Sequence, residues 1–562
     1  MTDMRRALLW GIFSVSLVML WDGWNKHQGH PSMFEAPVAA APVAAPTPAS
    51  ASVPNASSLP VASGAAPTAP TPAAPAASAA MSETVVVTTD TLKATFDTRG
   101  ASLVRLELLK HHETGAERHN VVLMERSAQR LYMAETGLIA AQGGAALPNH
   151  LTPMTLQPDP RTLEAGQDAL QVRFESSDVG GLKRVVTYTL RRGDYTMGFK
   201  QDVTNDGNTP AQPQLYLQLV RDGNVESSGM FMAPTSFTGP AVYTEVGKFQ
   251  KVDFKHIEEH KPGEKALHET QADNGWVAMV QHYFTSAWLL GDKAPREFFT
   301  RKVDNNLYAV GMIVPLGEIA PGASKAFEAR LFVGPQEEYR LAGLASGLEL
   351  VKDYGWLTLL AKPLFWLLSQ LHGLIGNWGW AIVALVVILK AAFYWLNASA
   401  YRSMAKMKAI NPKVMEMRER MKDNPQKMQQ EMMRMYREEK VNPLGGCLPI
   451  FVQMPFFIAL YWVLLSSVEM RNAPWIGWIT DLSVKDPYFI LPLVMTCSTL
   501  LQTWLNPTPP DPVQARMMWI MPLVFSVMFF VFPAGLVLYW VTNNILSIAQ
   551  QWAINKQLGV KH

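Results

Sequence analysis

The chain has 562 residues and nearly balanced charge, with 49 Lys and Arg against 47 Asp and Glu. This balance argues against the broad basic field of a nucleic-acid-binding protein. Charged residues make up 17% of the chain, against about 25% in an average soluble domain, so part of the chain is expected to avoid water. The two cysteines, Cys447 and Cys497, lie in apolar runs, which argues against a disulfide scaffold and a cysteine-based zinc site.

Residues 1–30 have the pattern of an export signal or a membrane anchor. Arg5 and Arg6 precede an apolar run from Ala7 to Leu20, which is shorter than the roughly 20 residues of a full span. The residues alone leave a cleaved signal and a retained anchor equally open. Residues 31–81 are rich in Ala and Pro and are predicted to be a disordered linker, because dense proline blocks helix formation.

Residues 82–350 are predicted to form a soluble all-β domain. Apolar residues alternate along several short runs, for example at Leu92, Ala94 and Phe96. Turn residues separate the runs, as at 192–194 (RGD) and 205–207 (NDG). A domain of this size with such spacing suits a large β-sandwich.

Residues 353–552 are predicted to form the membrane part of the chain. Residues 353–374 suggest an amphipathic helix lying in the membrane interface, and Pro363 interrupts its apolar run. A first span is expected over 375–396, and residues 447–552 are predicted to hold four more. The last segment, 517–551, has about 35 residues, which is too long for one span, and it breaks at 532–535 (FPAG). Residues 553–562 form a short tail.

The distribution of basic residues predicts the orientation of these spans. The loop 397–446 contains 11 Lys and Arg, and the loop 467–487 contains two. Because basic residues favour the cytoplasmic side, the first loop is assigned to the cytoplasm and the second to the outside. This orientation places the β domain outside and both chain termini in the cytoplasm.

Lys390 stands out because it interrupts an apolar run in the predicted span 375–396. A charge at the centre of a span costs about 2.5–3.5 kcal/mol, and no Asp or Glu occurs in any of the predicted spans after residue 376. Lys390 is therefore expected to face water, polar groups or the negative charge of a partner. The alternative is a lysine that extends to the cytoplasmic headgroups.

Other polar residues of the spans are predicted to lie at the same depth as Lys390, in the middle or cytoplasmic half. The outer halves of the spans are almost purely apolar, which indicates a groove open to the cytoplasm and sealed outside. The alternative is ordinary hydrogen bonding between helices, worth about 0.6 kcal/mol per pair. The predicted groove residues are Lys390, Gln453, Gln502, Tyr539, Trp540, Asn543 and Ser547.

The loop 397–446 is predicted to be a helical hairpin that turns at 423–425 (DNP). Methionines repeat at coiled-coil spacing along both helices, and basic residues cover the opposite faces. Flexible thioethers suit a surface that meets varied apolar partners, although simple hairpin packing would explain much of the pattern. The predicted docking residues are Met407, Met417, Met421, Arg418, Arg420, Met428, Met432 and Arg434.

One short motif resembles a metal site. Residues 256–260 (HIEEH) match the H-x-x-E-H pattern of some zinc peptidases. The surrounding stretch is hydrophilic and lacks an amphipathic helix, so no metal site is expected here. No phosphate loop, dinucleotide fingerprint or nucleophile elbow stands out, and neither a cofactor nor enzymatic catalysis is predicted.

Four segments in the membrane part carry a family resemblance. Residues 442–449, 453–455, 486–488 and 532–539 read NPLGGCLP, QMP, DPY and FPAGLVLY. With these segments the chain closely resembles the YidC-type membrane protein insertases of the Oxa/Alb superfamily. The N-terminal apolar run, the linker, the β domain and its segment 275–279 (GWVAM) resemble the Gram-negative form.

This resemblance implies a polytopic α-helical membrane protein with six transmembrane helices, a five-helix insertase core and a periplasmic β-supersandwich similar to sugar mutarotases. It also implies that the first apolar run is a retained span. The family carries a positive residue, usually Arg, in a hydrophilic groove, and this position falls on Lys390. Lysine keeps the charge and loses the planar fork of arginine. The family often has Pro where Trp395 follows Tyr394 here.

The function that follows is that of an inner-membrane insertase and chaperone. A hydrophobic client segment docks on the hairpin, its polar tail enters the groove beside Lys390, and the segment then moves into lipid. The expected partners are nascent membrane proteins, membrane lipids, the ribosome and the Sec translocon, the last two on the resemblance alone. Two alternatives are a small-solute transporter or channel, and a membrane-anchored periplasmic sugar-binding or mutarotase-like protein.

Overall fold

The computed structural model describes residues 83–113, 119–140, 146–225, 236–261, 263–421, 425–438, 448–506 and 512–557. The predicted anchor (1–30) and nearly all of the linker (31–81) lie outside these residues. So do Cys447 with most of its glycine-rich segment and the last residues of the predicted tail.

Within the described residues, 18 strands form two antiparallel sheets of nine strands each. The first sheet has the order β1-β2-β3-β4-β5-β10-β17-β16-β13, and the second has the order β12-β11-β14-β15-β18-β9-β8-β7-β6. The strands are β1 (Thr84–Thr88), β2 (Leu92–Asp97), β3 (Ser102–His112), β4 (Asn120–Arg126), β5 (Leu131–Ala140), β6 (Met154–Leu156), β7 (Ala169–Ser176), β8 (Leu182–Arg191), β9 (Thr196–Asn205), β10 (Pro213–Asp222), β11 (Gly239–Thr244), β12 (Lys248–Lys251), β13 (Gln271–Ala272), β14 (Trp276–Val280), β15 (Phe284–Leu289), β16 (Arg296–Asp304), β17 (Leu307–Pro315) and β18 (Ser324–Pro335).

The two sheets share one apolar core. Phe96 of β2 in the first sheet lies 5.8 Å from Phe174 of β7 and 4.6 Å from Tyr188 of β8 in the second sheet, measured between ring centroids. All three rings are buried. The alternation that predicted strands here arises because every second side chain points into this core. The all-β prediction is therefore confirmed as two packed antiparallel sheets.

A second buried region lies on the other face of the first sheet. Glu135 of β5 is 4% exposed and accepts a hydrogen bond of 2.7 Å from the Gln218 side chain of β10. His150 is also buried, with Nε2 4.0 Å from Glu135 Oε2. Burial raises the pKa of Glu135 because the low-dielectric surroundings disfavour the carboxylate.

The remainder of the described chain is largely helical. The helices are α1 (Phe254–Glu259), α2 (Glu338–Leu344), α3 (Thr358–Ile375), α4 (Trp378–Ala392), α5 (Tyr394–Arg420), α6 (Pro425–Glu438), α7 (Leu448–Ser466), α8 (Ile490–Leu505), α9 (Pro512–Met528) and α10 (Ala534–Gln557). The last helix packs against both α8 and α4, and α3 packs against α7 and α4. The break between α9 and α10 falls at the predicted FPAG segment.

The predicted span 375–396 is wrong as a single helix. Helix α4 ends at Ala392, and α5 begins at Tyr394 with a bend of 68° between the two helices. Neither proline nor glycine marks the bend. Phe393 leaves the helical conformation while its ring packs edge-on against Phe456 of α7, at 5.1 Å. Lys390 therefore lies in the last turn of α4, and its predicted mid-span depth no longer follows.

In the described part of the chain, no helix alone has both the length and the apolar composition needed to cross a membrane. The bent pair Trp378–Ala392 and Tyr394–Met417 meets both requirements when its two helices are taken together. The six-span arrangement thus stays a prediction.

The helix predicted for the membrane interface is α3. It begins at Thr358 and continues through Pro363, which interrupts the apolar run without ending the helix. Its buried residues are Ala361, Leu364, Phe365 and Leu368, while Leu359 and Leu374 are 88% and 85% exposed. An apolar helix that exposes large side chains has the character expected of a helix in contact with lipid.

A buried ion pair joins the β domain to the helical part. Lys352 follows the last strand and is buried, with Nζ 3.0 Å from Glu469 in the loop after α7. Burial lowers the pKa of Lys352, and Glu469 opposes that shift. In the same loop, Arg471 donates a 2.8 Å hydrogen bond to the His112 carbonyl at the end of β3. These contacts hold the loop after α7 against the β domain.

We expect Glu135→Gln to stabilise the chain at alkaline pH. Because burial raises the pKa of Glu135, the folded state favours the protonated form, and stability falls as the pH rises above the unfolded value of about 4.3. Glutamine resembles the protonated acid, so the thermal midpoint of the variant should exceed that of the wild type at pH 8 and match it near pH 4. Thermal unfolding in detergent at both pH values measures this.

The exposed Glu328→Gln change serves as the control for the Glu135 prediction. It should leave the thermal midpoint unchanged at both pH values. A Glu135→Gln variant less stable than the wild type at pH 8 would contradict the prediction.

Candidate functional site

A narrow, largely apolar cleft that contains four polar side chains lies where α4, α7 and α10 meet. Its volume is about 20 Å³, which is enough for one or two water molecules. A groove open to the cytoplasm that receives a polar client tail was predicted, and the rings of Phe393, Phe456 and Phe457 form part of the lining of this cleft. The lining residues are Val386, Leu389, Lys390, Phe393, Gln453, Phe456, Phe457, Tyr539 and Asn543.

Lys390 is the charged residue of this lining. Its ammonium group donates a 2.7 Å hydrogen bond to the Ser547 hydroxyl of α10. Ser547 in turn donates to the Asn543 carbonyl at 2.7 Å. No salt bridge joins Lys390 to a carboxylate of the described residues. The cleft therefore carries a positive charge whose protein partner is a neutral hydroxyl.

Gln453 forms the α7 side of the cleft. Its amide donates a 3.2 Å hydrogen bond to Asn397 Oδ1, in the first turn of α5. Asn397 is 4% exposed, and its own amide nitrogen has no hydrogen-bond partner in the described structure. Asn397 was missed as a site residue, although an asparagine at the end of an apolar run was a visible signal.

Tyr539 and Trp540 are neighbours on α10 with different surroundings. Tyr539 lines the cleft and packs edge-on against Phe457, at 5.6 Å between ring centroids. Trp540 stacks on Phe457 at 5.2 Å and lies 5.5 Å from Phe529, in the apolar core of the helical part. Trp540 therefore supports the cleft wall without lining it.

Gln502 does not line this cleft. It lies on α8, which contacts a different side of α10. The two helices are joined through Asn544, whose amide donates to Thr499 at 2.9 Å and Ser498 at 3.3 Å. Adjacent residues on a helix point about 100° apart, so Asn543 lines the cleft while Asn544 meets α8. The sequence alone did not separate these two directions.

The hairpin consists of α5 and α6. Along α5, Ile410, Val414 and Met417 are buried. Arg420 forms an ion pair with Glu416 on its own helix. The other predicted methionines, Met407, Met421, Met428 and Met432, are partly buried. Arg434 pairs with Glu431 and Glu438 at 3.0 and 3.1 Å, and the side chain of Arg418 lies outside the described residues. Their role in docking stays a prediction.

The HIEEH segment contributes the last four residues of the six-residue helix α1 and the residue after it. His256 is paired with Asp253 and His260 with Glu264, each within the same segment. Across the described ranges, no three His, Cys, Asp or Glu residues are placed to hold a metal ion.

Two family models together match most of the chain. The model described as the YidC periplasmic domain matches residues 84–367, and the model described as 60Kd inner membrane protein matches residues 370–561. A curated relative from Cupriavidus necator, named membrane protein insertase YidC, is 56% identical over 560 residues, covering 99% of this chain and 98% of the relative. The chain belongs to the YidC family of membrane protein insertases. Its β domain and its cleft thus lie in the periplasmic and inner-membrane parts of a YidC-type chain.

Solved structures give a weaker likeness. The chain is similar to an active YidC insertase structure with its first transmembrane domain resolved, at 18% identity and a TM-score of 0.38, covering 83% of this chain and 91% of that one. A galactose mutarotase-like protein from Lactobacillus casei is 11% identical with a TM-score of 0.29, covering 45% of this chain and all of that protein. Scores this low do not establish a shared fold.

We expect Lys390→Met to stabilise the folded chain. Methionine has a similar length and removes a half-buried charge that has no countercharge in the described structure. The gain in the free energy of unfolding should be smaller than the cost of about 2.5–3.5 kcal/mol for a lysine at the centre of a span. The reason is that the Ser547 hydroxyl already accepts a hydrogen bond from the ammonium group. The measurement is the thermal midpoint of the purified chain in one detergent at one scan rate.

Lys406→Met, at an exposed position of α5, is the matched control and should leave the midpoint unchanged. A lower midpoint for Lys390→Met would show that the bond to Ser547 outweighs the cost of placing the charge in the cleft.

Proposed function

We propose that the chain inserts hydrophobic segments of client proteins into the bacterial inner membrane, using Lys390 as a charge that the client neutralises. The observation that carries this proposal is the 2.7 Å contact between Lys390 and Ser547, which leaves the ammonium group without a negative partner in the described residues. A client tail carrying Asp or Glu would supply that partner. A charge in an apolar surrounding is costly, and an opposite charge lowers the cost.

The proposed orientation follows the basic residues. The hairpin of α5 and α6 and both termini are placed in the cytoplasm, and the β domain in the periplasm. In this orientation the chain has six spans, with the N-terminal run retained as the first and the other five forming the insertase core. Lys390 and the bend at Phe393 then face the cytoplasmic end of the cleft.

Insertion begins, in this proposal, at the hairpin. A hydrophobic client segment contacts the methionines, and its short polar tail approaches Lys390 from the cytoplasmic side. The cleft has to widen to admit the tail, because about 20 Å³ holds only water. The rings of Phe393 and Phe456 lie at the bend between α4 and α5, so a change in this bend would open the inner end.

The client leaves the cleft sideways into lipid. Helix α9 exposes a run of apolar side chains that a client segment could follow, including Ile520, Val524 and Val527 at 52%, 59% and 69% exposure. Each methylene group that moves from water into lipid contributes about 0.8 kcal/mol. This transfer drives the reaction, so the proposal requires neither a nucleotide nor a metal and involves no enzymatic step.

The proposed partners are nascent membrane proteins and membrane lipids, with the ribosome and the Sec translocon assigned by resemblance. The transporter alternative is not favoured, because the outer half of α10 is apolar and buried at Leu536, Val537 and Leu538. The sugar-binding alternative gains no support either. Glu135 and His150 converge, but both are buried.

The test is insertion of a small single-span protein with an acidic tail into liposomes that contain the purified chain. Protease protection measures the inserted fraction. We expect Lys390→Ala to lower the insertion rate by about tenfold, equivalent to 1.4 kcal/mol, because the tail loses its countercharge. Lys390→Arg should restore most of the rate, because it keeps the charge.

Lys255→Ala, at an exposed position of the β domain, is the control and should insert like the wild type. Wild-type liposomes that protect no more client than empty liposomes would contradict the proposed function.

A further inference from the structure

The loop between α7 and α8 has a defined internal structure. Within residues 473–486, here called the outer loop, Leu482 donates to the Ala473 carbonyl at 3.0 Å and Trp475 donates to the Ile479 carbonyl at 3.0 Å. Ile479 and Leu482 are each 1% exposed. The outer loop therefore has its own hydrogen bonds and its own buried side chains.

The outer loop binds the first residues of α4. Asn377 caps this helix by accepting a 3.1 Å hydrogen bond from the Trp380 backbone, and its amide donates to the Pro474 and Trp475 carbonyls at 3.1 and 3.2 Å. The Trp475 ring lies directly on the backbone of Gly379. A Cβ atom at Gly379 would be only 2.2 Å from this ring, so no larger residue fits there.

The outer loop also binds the first residues of α10. The Ala534 N–H donates to the Val484 carbonyl at 2.7 Å, and the Gly535 N–H donates to the Leu482 carbonyl at 2.9 Å. The first N–H groups of a helix have no partner within that helix, and leaving them unpaired in an apolar surrounding costs several kcal/mol each. The outer loop supplies the missing acceptors.

Asp486 connects the outer loop to the start of α8. One carboxylate oxygen accepts hydrogen bonds from the Tyr488 N–H at 3.0 Å and the Trp478 indole N–H at 3.1 Å. The other accepts from the Leu491 N–H at 2.7 Å. The side chain is 1% exposed, and its negative charge faces the positive end of the helix dipole. Asp486 thus holds a loop tip and a helix start in one place.

Three helices are therefore tied at their first residues by one loop. Two of them carry the cleft: Lys390 lies on α4, and Tyr539 and Asn543 lie on α10. In the proposed orientation these helix starts are at the periplasmic side. The outer loop fixes their spacing there and fills the space between them with Trp475 and Leu482.

We propose that Asp486 is a positioning residue for insertion, and that its carboxylate keeps the outer loop closed over the periplasmic ends of α4, α8 and α10. With this end fixed, the cleft widens only toward the cytoplasm, and ions do not leak while a client enters. The inference rests on the proposed function for its link to insertion. The seal itself is a separate property that can be measured without a client.

The experiment places the full chain in phosphatidylethanolamine and phosphatidylglycerol vesicles that enclose a pH-sensitive dye. Proton leakage after a pH jump and client insertion are both measured for wild type and Asp486→Asn. Asparagine replaces one acceptor oxygen with an N–H₂ group, which leaves at least one of the three donors unpaired. The loss of a hydrogen bond to a charged group lowers the equilibrium constant for closure of the outer loop by about tenfold or more. The leakage rate should therefore rise, and the insertion rate should fall, by about that factor.

Asp481→Asn is the matched control in the same loop. Asp481 bonds only to Ser483 two residues away, at 2.8 Å to the backbone and 2.7 Å to the hydroxyl among the described contacts. This variant should leak and insert like the wild type. A folded Asp486→Asn chain with wild-type leakage overturns the proposal, whether or not its insertion falls.

A second variant keeps the test decisive if Asp486→Asn does not fold. Trp478→Phe retains an aromatic ring and removes only the indole donor to Asp486, and we expect a several-fold rise in leakage. Wild-type leakage in a folded Trp478→Phe chain would then overturn the proposal. If wild type inserts no client while the variants still differ in leakage, the proposed function fails and the seal stands.

Discussion

The ammonium group of Lys390, held by a single serine hydroxyl, is the constraint on which the helical part depends. Placing a charge without a countercharge among apolar groups costs free energy. Helices α4 and α10 accommodate the charge by bringing Ser547 within 2.7 Å, and α7 closes the cleft with aromatic rings. The site thus holds the charge with one hydroxyl and offers it no carboxylate of the described residues. An acidic client tail completes the site, and this is the basis of the proposed insertion reaction.

The two ends of the cleft are built differently. At the proposed periplasmic end, one loop pairs the first N–H groups of α8 and α10 and binds the cap of α4, so little can move there. At the other end, α4 stops at Ala392 and α5 leaves at a bend of 68°. The bend is held by the ring contact of Phe393 with Phe456 and by two side-chain hydrogen bonds to the start of α5, one to Asn397 and one to the Tyr394 carbonyl. Buried contacts such as Lys352 with Glu469 extend the rigid end into the β domain.

Much of this arrangement could be predicted from residue types. A lysine and several amides in apolar runs stand out against their neighbours, and the structure brings Lys390, Gln453, Tyr539 and Asn543 to one cleft. The bend at Phe393 could not be predicted, because it depends on a tertiary contact with Phe456 and carries no proline or glycine. Gln502 was assigned to the wrong neighbourhood because depth along a span does not specify direction around a helix. Strand β5 is buried on both faces, so apolar and polar residues do not alternate along its sequence.

Charge reversal at the cleft tests the central claim most directly. The experiment compares wild type, Lys390→Gln and Lys390→Glu in liposomes without a membrane potential, using two clients that differ only in a tail of Asp or of Lys. The account predicts that Lys390→Glu inserts the Asp-tailed client about tenfold more slowly than the wild type does. The same variant should insert the Lys-tailed client faster than the wild type, and Lys390→Gln should lie between the two for both clients. Equal losses for both clients would contradict it, since the cleft would then act through its shape or stability and not through its charge.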